Sequence, residues 1–318
     1  MTQALENSAE AGKAGAFAVM AVTPLFFSSI LIFGRDVVGA VAPFLLAAIR
    51  WALVALSLSP FLWRDRTTVQ QTVAGHWRFL LLLGFLGMFI CGGLVYLGLT
   101  MTTATNGTLI YTTSPVIIIL LEAAFSGRRI GWREAVGSAL AFAGVAVIVL
   151  KGDWQALASL RFNPGDLLFV AAAIAWAVYS ILGRKPVMTR LGNFSALGLT
   201  ALSGTLCLLP VAVWEVTAGD PLPATPQAWG NIAGIVFFAS LLAFAGFQFG
   251  VRRLGASLAG IFMYLLPAYG VSLAVLWLGE EFRPFHAAGI ALVMAGIVLA
   301  TFPASWARRK LARGRDEP

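Results

Sequence analysis

GLTMTTATNGTLIYTTSPVIIILLEAAFSGRRIGWREAVGSALAFAGVAVIVL, residues Gly98–Leu150, and GVRRLGASLAGIFMYLLPAYGVSLAVLWLGEEFRPFHAAGIALVMAGIVLATF, residues Gly250–Phe302, decide the fold. A shift of 152 positions lays one stretch on the other without a gap. Identities fall at Gly98/Gly250, Ala104/Ala256, Pro115/Pro267, Gly127/Gly279, Gly137/Gly289, Leu140/Leu292 and Gly144/Gly296. Earlier in the two halves the match is looser, with Pro60 set against Pro210. The chain carries an internal duplication, and a duplication constrains architecture more than any single motif.

Both copies lie in a strongly apolar chain. Hydrophobic residues make up 59% of the 318 and charged ones 11%, far from the balance of a soluble domain. About 20 apolar residues at helical rise cross a bilayer core. Ten segments qualify, at about 14–33, 42–63, 77–99, 104–125, 132–150, 165–184, 194–215, 229–250, 256–278 and 284–303. The first, Ala14–Phe33, is followed by no small-residue cleavage site and reads as a span rather than a removed leader. The organisation expected is a first five-helix repeat at 14–150, a linker at 151–164, a second repeat at 165–303 and a basic tail at 304–318.

The net charge of +8 reports topology rather than nucleic acid, because Lys and Arg sit in short breaks and form no stripe with stacking aromatics. With the N-terminus inside, 17 Lys and Arg fall in inner segments and four in outer ones, Arg35, Lys151, Arg161 and Arg283. The positive-inside rule then places both termini in the cytoplasm of a bacterial inner-membrane protein. Five spans per copy turn the second copy upside down. The loops fit that inversion: Arg128-Arg129 aligns with Glu280-Glu281, and Thr100-Met101 with Arg252-Arg253. The fold class expected is therefore all-α membrane, ten helices in two inverted repeats around a central cavity, an arrangement suited to alternating access.

The duplicated residues resemble the drug/metabolite transporter superfamily, in its EamA branch. They are Leu97-Gly-Leu with Ala104, Pro115, Gly127, Gly137 and Gly144, repeated as Phe249-Gly-Val with Ala256, Pro267, Gly279-Glu280, Gly289 and Gly296. Pro43, Ala47, Ala48 and Arg50 resemble that family's second helix. One departure is Arg128, where the family often has Glu. The resemblance implies a ten-helix basket whose cavity is lined chiefly by helices 1, 3, 4, 6, 8 and 9. It also implies export of amino acids or related metabolites, aromatic amino acids most pertinently.

Charged groups at bilayer depth are costly, so each one invites a functional reading. Arg50 lies about eight residues into its span, where it suits a substrate anion or, alternatively, fixes helix packing. Glu122 is expected to pair with Arg128 and Arg129 at an interface; Asp166 and Glu215 lie at span ends, where solvation is expected. With no carboxylate or His at a midplane, uncoupled movement or exchange is expected. The sequence has no metal-ligand, P-loop or catalytic cluster, so no cofactor and no enzymatic role are expected. Aromatic and neutral polar residues remain for a solute wall: Phe26, Ser28, Tyr96, Asn106, Tyr111, Trp176, Tyr179, Gln248, Tyr264 and Tyr269. Each also has an ordinary place at an interface or between helices. Pro115 and Pro267 are the expected gating hinges, static kinks being the alternative. Gly137, Ala141 and Gly144, echoed by Gly289, Val293 and Gly296, offer close helix approach, more for internal packing than for a dimer. The partners expected are a small-molecule substrate and membrane lipids, with no nucleic acid, in a monomer or weak homodimer. Drugs, nucleobases or other metabolites are alternative solutes. A lipid flippase or membrane enzyme would need polar groups the spans lack, and phosphorylated solutes would need more buried cations than Arg50.

Overall fold

In the computed structural model, residues 2–301 are described apart from 35–36, 39, 154, 156–162 and 280. Arg35, Arg161, Glu280, most of the linker and the basic tail therefore lie outside the described residues. Every regular element among those described is a helix. Nine are long and apolar enough to cross a membrane. They are α1 (Lys13–Phe33), α3 (Arg66–Met101), α4 (Thr105–Phe125), α5 (Trp132–Val149), α6 (Pro164–Leu182), α7 (Asn193–Ala218), α8 (Pro226–Leu254), α9 (Ala256–Trp277) and α10 (Pro284–Thr301). A shorter apolar helix, α2 (Pro43–Ser57), turns at Leu58 into Ser59–Arg64. The chain is an all-α, multi-pass membrane protein.

α1 packs on α8 and α9, while α6 packs on α3 and α4. α5 and α10 run antiparallel, with Gly137 against Gly296 and Gly144 against Gly289. A Cβ on Gly144 would lie 2.6 Å from the Gly289 carbonyl oxygen, and one on Gly137 2.6 Å from that of Gly296. Only glycine lets the two backbones come this close. Lipid tails are as apolar as side chains, so such close packing, not hydrophobic exclusion, holds helices together inside a bilayer. The small-residue face is thus spent within the chain.

Two helices are interrupted at mid-length. α4 breaks at Thr112-Thr113 and α9 at Met263-Tyr264, just before Pro115 and Pro267. Proline lacks the N–H that would close the preceding turn and crowds the carbonyl four residues back. In α4 the hydroxyls of Thr112 and Thr113 bond the carbonyls of Leu109 (2.9 Å) and Ile110 (2.6 Å), satisfying acceptors at the break. α3 and α8 widen instead into π-helical turns, Phe85–Leu94 and Ile235–Leu242. Such widening leaves backbone acceptors open to other groups and often marks a functional site.

Two sequence expectations are corrected. The break before the third span is largely helical, since α3 begins at Arg66 and only His76 leaves helical geometry. Asp166 and Glu215 are not solvated; they are 1% and 4% exposed. Asp166 closes a capping box with Asn163 and accepts from the Thr102 hydroxyl at 2.5 Å. Glu215 accepts from the backbone N–H groups of Phe44 (3.1 Å) and Leu45 (2.7 Å) at the start of α2. Free N–H groups at helix starts need acceptors, and these two carboxylates provide them.

Candidate functional site

An aromatic cluster centred on Trp176 of α6 occupies the interior. Its indole lies 5.6 Å from the Tyr179 ring, 4.7 Å from Phe247, 5.5 Å from Phe244, 5.9 Å from Phe27 and 6.5 Å from Tyr111. α1, α4, α6 and α8 each contribute a ring. On α8, Phe244, Phe247 and Gln248 share one face through i, i+3 and i, i+4 spacing. The Cys91 thiol of α3 donates to the Ala172 carbonyl of α6 at 3.4 Å.

The expected wall residues divide. Tyr111, Trp176 and Tyr179 meet in the cluster, and Gln248 joins them by donating to the Tyr179 hydroxyl at 2.8 Å. Its amide oxygen is buried without a partner among the described residues, as is the hydroxyl of fully buried Tyr264. Phe26 stacks on Phe238 rather than on Trp176; its neighbour Phe27 faces the cluster. Ser28 ties α1 to α9 through the Leu266 carbonyl (2.8 Å), and Tyr269 does so through that of Ala21 (2.8 Å). Asn106 reaches both Asp166 oxygens at 3.4 Å, away from the cluster. Phe27, Phe244 and Phe247 escaped the sequence reading because phenylalanine is ordinary on lipid-facing surfaces. The shared face of Phe244, Phe247 and Gln248 was the available signal.

A cavity of ≈ 20 Å³ beside the cluster is lined by Tyr179, Thr200, Phe247, Gln248 and Arg252, among others. That is room for about one water.

Arg50 sits on the α2 side of this cluster and is 6% exposed. Its Nε donates to Ser240 Oγ (2.6 Å), Nη1 to the Tyr96 hydroxyl (2.8 Å) and Nη2 to the Ala239 carbonyl (2.9 Å). Ser240 and Ala239 belong to the π-helical turn of α8. The guanidinium stands 4.9 Å from the Trp51 ring centre and 6.0 Å from that of Phe244.

At the end of the bundle holding Arg184, Glu122 of α4 is buried. It accepts from Arg184 (3.1 Å) and from Ser257 of α9 (2.5 Å), with Arg128 Nε at 3.7 Å. Arg128 in turn pairs with Glu134 of α5. The expected Arg128 partner is present, but Arg184 is closer and Arg129 is not among the partners of Glu122. Among the described residues no group of His, Cys, Asp and Glu side chains is arranged to hold a metal.

A profile of the EamA-like transporter family matches residues 14–150 and 163–302. This chain belongs to the EamA-like transporter family. Relatives of the EamA chain include the uncharacterised transporter YyaM of Bacillus subtilis, 27% identical over 70% of this chain and 72% of its own. A second B. subtilis transporter, YetK, is 26% identical over 89% of this chain and 86% of its own. A probable terminal-alkyne amino-acid exporter of Streptantibioticus cattleyicolor is 29% identical over 74% of each chain. A protein of known crystal structure shares the fold with a TM-score of 0.74 at 21% identity, over 90% of this chain and 97% of its own. The EamA chain is a membrane transporter.

Proposed function

We propose that this transporter exports amino acids, aromatic or other neutral ones, across a bacterial inner membrane by alternating access and without ATP hydrolysis. The observation that carries this reading is the ring cluster around Trp176, drawn from α1, α4, α6 and α8 and bordered by a few polar groups. A concave apolar wall with sparse polar contacts suits an amphipathic solute. The amino-acid exporter among the relatives favours the same class.

The halves act as inverted copies, with the Arg184 end in the cytoplasm and the Asp166 end outside. Pro115 and Pro267, at the breaks of α4 and α9, serve as hinges. The Glu122 cluster closes the cytoplasmic side in this conformation, joining α4, α6 and α9.

Counterflow of aromatic and aliphatic amino acids in liposomes tests the reading. Exchange of at least one amino acid is expected, and Trp176→Ala should cut it about tenfold while the protein stays folded, a loss on the scale of one positioning contact. Exchange of nucleobases or drugs but of no amino acid would overturn it.

A further inference from the structure

We propose that Arg50 and Trp51 form the receptor for a carboxylate on the transported solute, so that substrates are carboxylates or zwitterions rather than amines or neutral compounds. The assignment rests on the carrier role proposed above and names the group its substrate must bear.

The first observation is a charge without a counter-charge. Arg50 is buried within an apolar helix, and no carboxylate lies within ion-pair distance of it among the described residues. Its three protein acceptors are two hydroxyls and a carbonyl, all neutral. They hold the guanidinium in place and leave two of its five N–H groups without an acceptor among the described residues. A buried cation with neutral partners is destabilising by itself, and a carboxylate is the complement its planar fork matches best.

The second observation is independent of the first. The Trp51 indole N–H is buried, its residue 1% exposed, and it has no hydrogen-bond partner among the described residues. It faces Gly92 of α3, one turn before Tyr96, which Arg50 binds. Two adjacent residues of α2 thus carry unused donors, the Trp51 one facing the helix that Arg50 also reaches through Tyr96, and indole, like guanidinium, can only donate. The unmet demand at this place is for an acceptor bearing negative charge.

Packing alone does not call for this charge, and the second half of the chain shows why. With Pro60 set against Pro210, Arg50 corresponds to Thr200, and the 152-residue shift sets Tyr96 against Gln248. Thr200 and Gln248 line the same small cavity together, and Gln248 bonds Tyr179. The pair equivalent to Arg50 and Tyr96 is therefore neutral there, while the nearby Arg252 guanidinium is taken up by the Leu191 and Met188 carbonyls. The position also suits an amphipathic molecule. Phe244 lies 6.0 Å from the guanidinium and 5.5 Å from Trp176, so an acid group at Arg50 directs its apolar body into the ring cluster.

The test measures binding to the purified full chain by thermal shift and calorimetry with four probes: L-phenylalanine, 3-phenylpropanoate, L-phenylalaninamide and 2-phenylethylamine. The two carboxylates are expected to bind at least about tenfold tighter than the other two, the scale of one charged hydrogen-bonded contact. Arg50→Gln should erase that preference. Trp51→Phe keeps both ring and guanidinium, so it supplies the readout if Arg50→Gln does not fold, and should weaken the carboxylates several-fold. Binding of 3-phenylpropanoate through Arg50 without binding of phenylalanine would uphold the receptor and sink amino-acid export. Equal binding of all four probes, no binding of either carboxylate, or a folded Arg50→Gln protein with unchanged preference would overturn the proposal.

Discussion

The seam between α5 and α10 and the junction of α4, α6 and α9 are both tight contacts between the halves, yet they are made of opposite materials. The first is glycine backbone against glycine backbone, with Gly137 and Gly144 set on Gly296 and Gly289. The second is a buried carboxylate, Glu122, held by Arg184, Ser257 and Arg128. Close-packed backbones lose their attraction as soon as they part, and nothing replaces it. Ionic groups at a bundle end exchange protein partners for water at modest cost, and the Arg184 side chain is already half exposed. On the proposed alternating-access reading, the difference assigns α5 and α10 to the scaffold and the Glu122 junction to the contact that opens and recloses.

The sharpest break of this comparison is at the seam. Gly144→Val places side-chain atoms where the Gly289 carbonyl stands, and overpacking with no room to relax costs about 3 kcal/mol or more. Loss of monodisperse folded protein is expected; a stable, transport-competent variant would show that the seam yields. Glu122→Ala should act differently. It removes an acceptor from a buried hydroxyl and two half-solvated cations, a destabilisation of about 1–3 kcal/mol. The protein should fold, and a cysteine placed at Ser257 should become more reactive to a water-soluble maleimide. Unchanged reactivity would mean that apolar contacts, not Glu122, close this end. The smallest effect is expected from salt. Raising ionic strength from 0.01 to 1 M shortens the screening length from about 30 to about 3 Å, which should raise the same labelling slightly without touching the α5–α10 seam. Equal loosening of both would erase the distinction.

The duplication, the membrane class and the glycine faces were legible because they depend on residue identity at fixed spacing. Trp176, Tyr111 and Tyr179 were legible for a similar reason, as large polar-tipped rings deep in apolar segments. Arg50 stood out as a lone charge, but its partners did not: Ser240 is 190 positions away, and sequence does not say which helices touch. Phe27 was masked by Phe26, since in a helix apolar on all sides no periodicity says which neighbour points inward. Asp166 and Glu215 were misjudged because their partners include backbone N–H donors, present at every helix start and invisible in composition, and for Asp166 also Thr102, distant in sequence. The π-helical turns of α3 and α8 left no mark on composition either; the open Ala239 carbonyl they provide became visible only with the fold.

Everything functional here depends on the halves lying head to tail across the bilayer. Positions 129 and 281 are equivalent under the 152-residue shift, and both are exposed. Single cysteines at Arg129 and Glu281, in a chain with Cys91 and Cys207 replaced by alanine, can be labelled in intact cells with a membrane-impermeant maleimide. The account predicts labelling at 281 from outside and at 129 only after the membrane is breached. Labelling of both from the same side would contradict it.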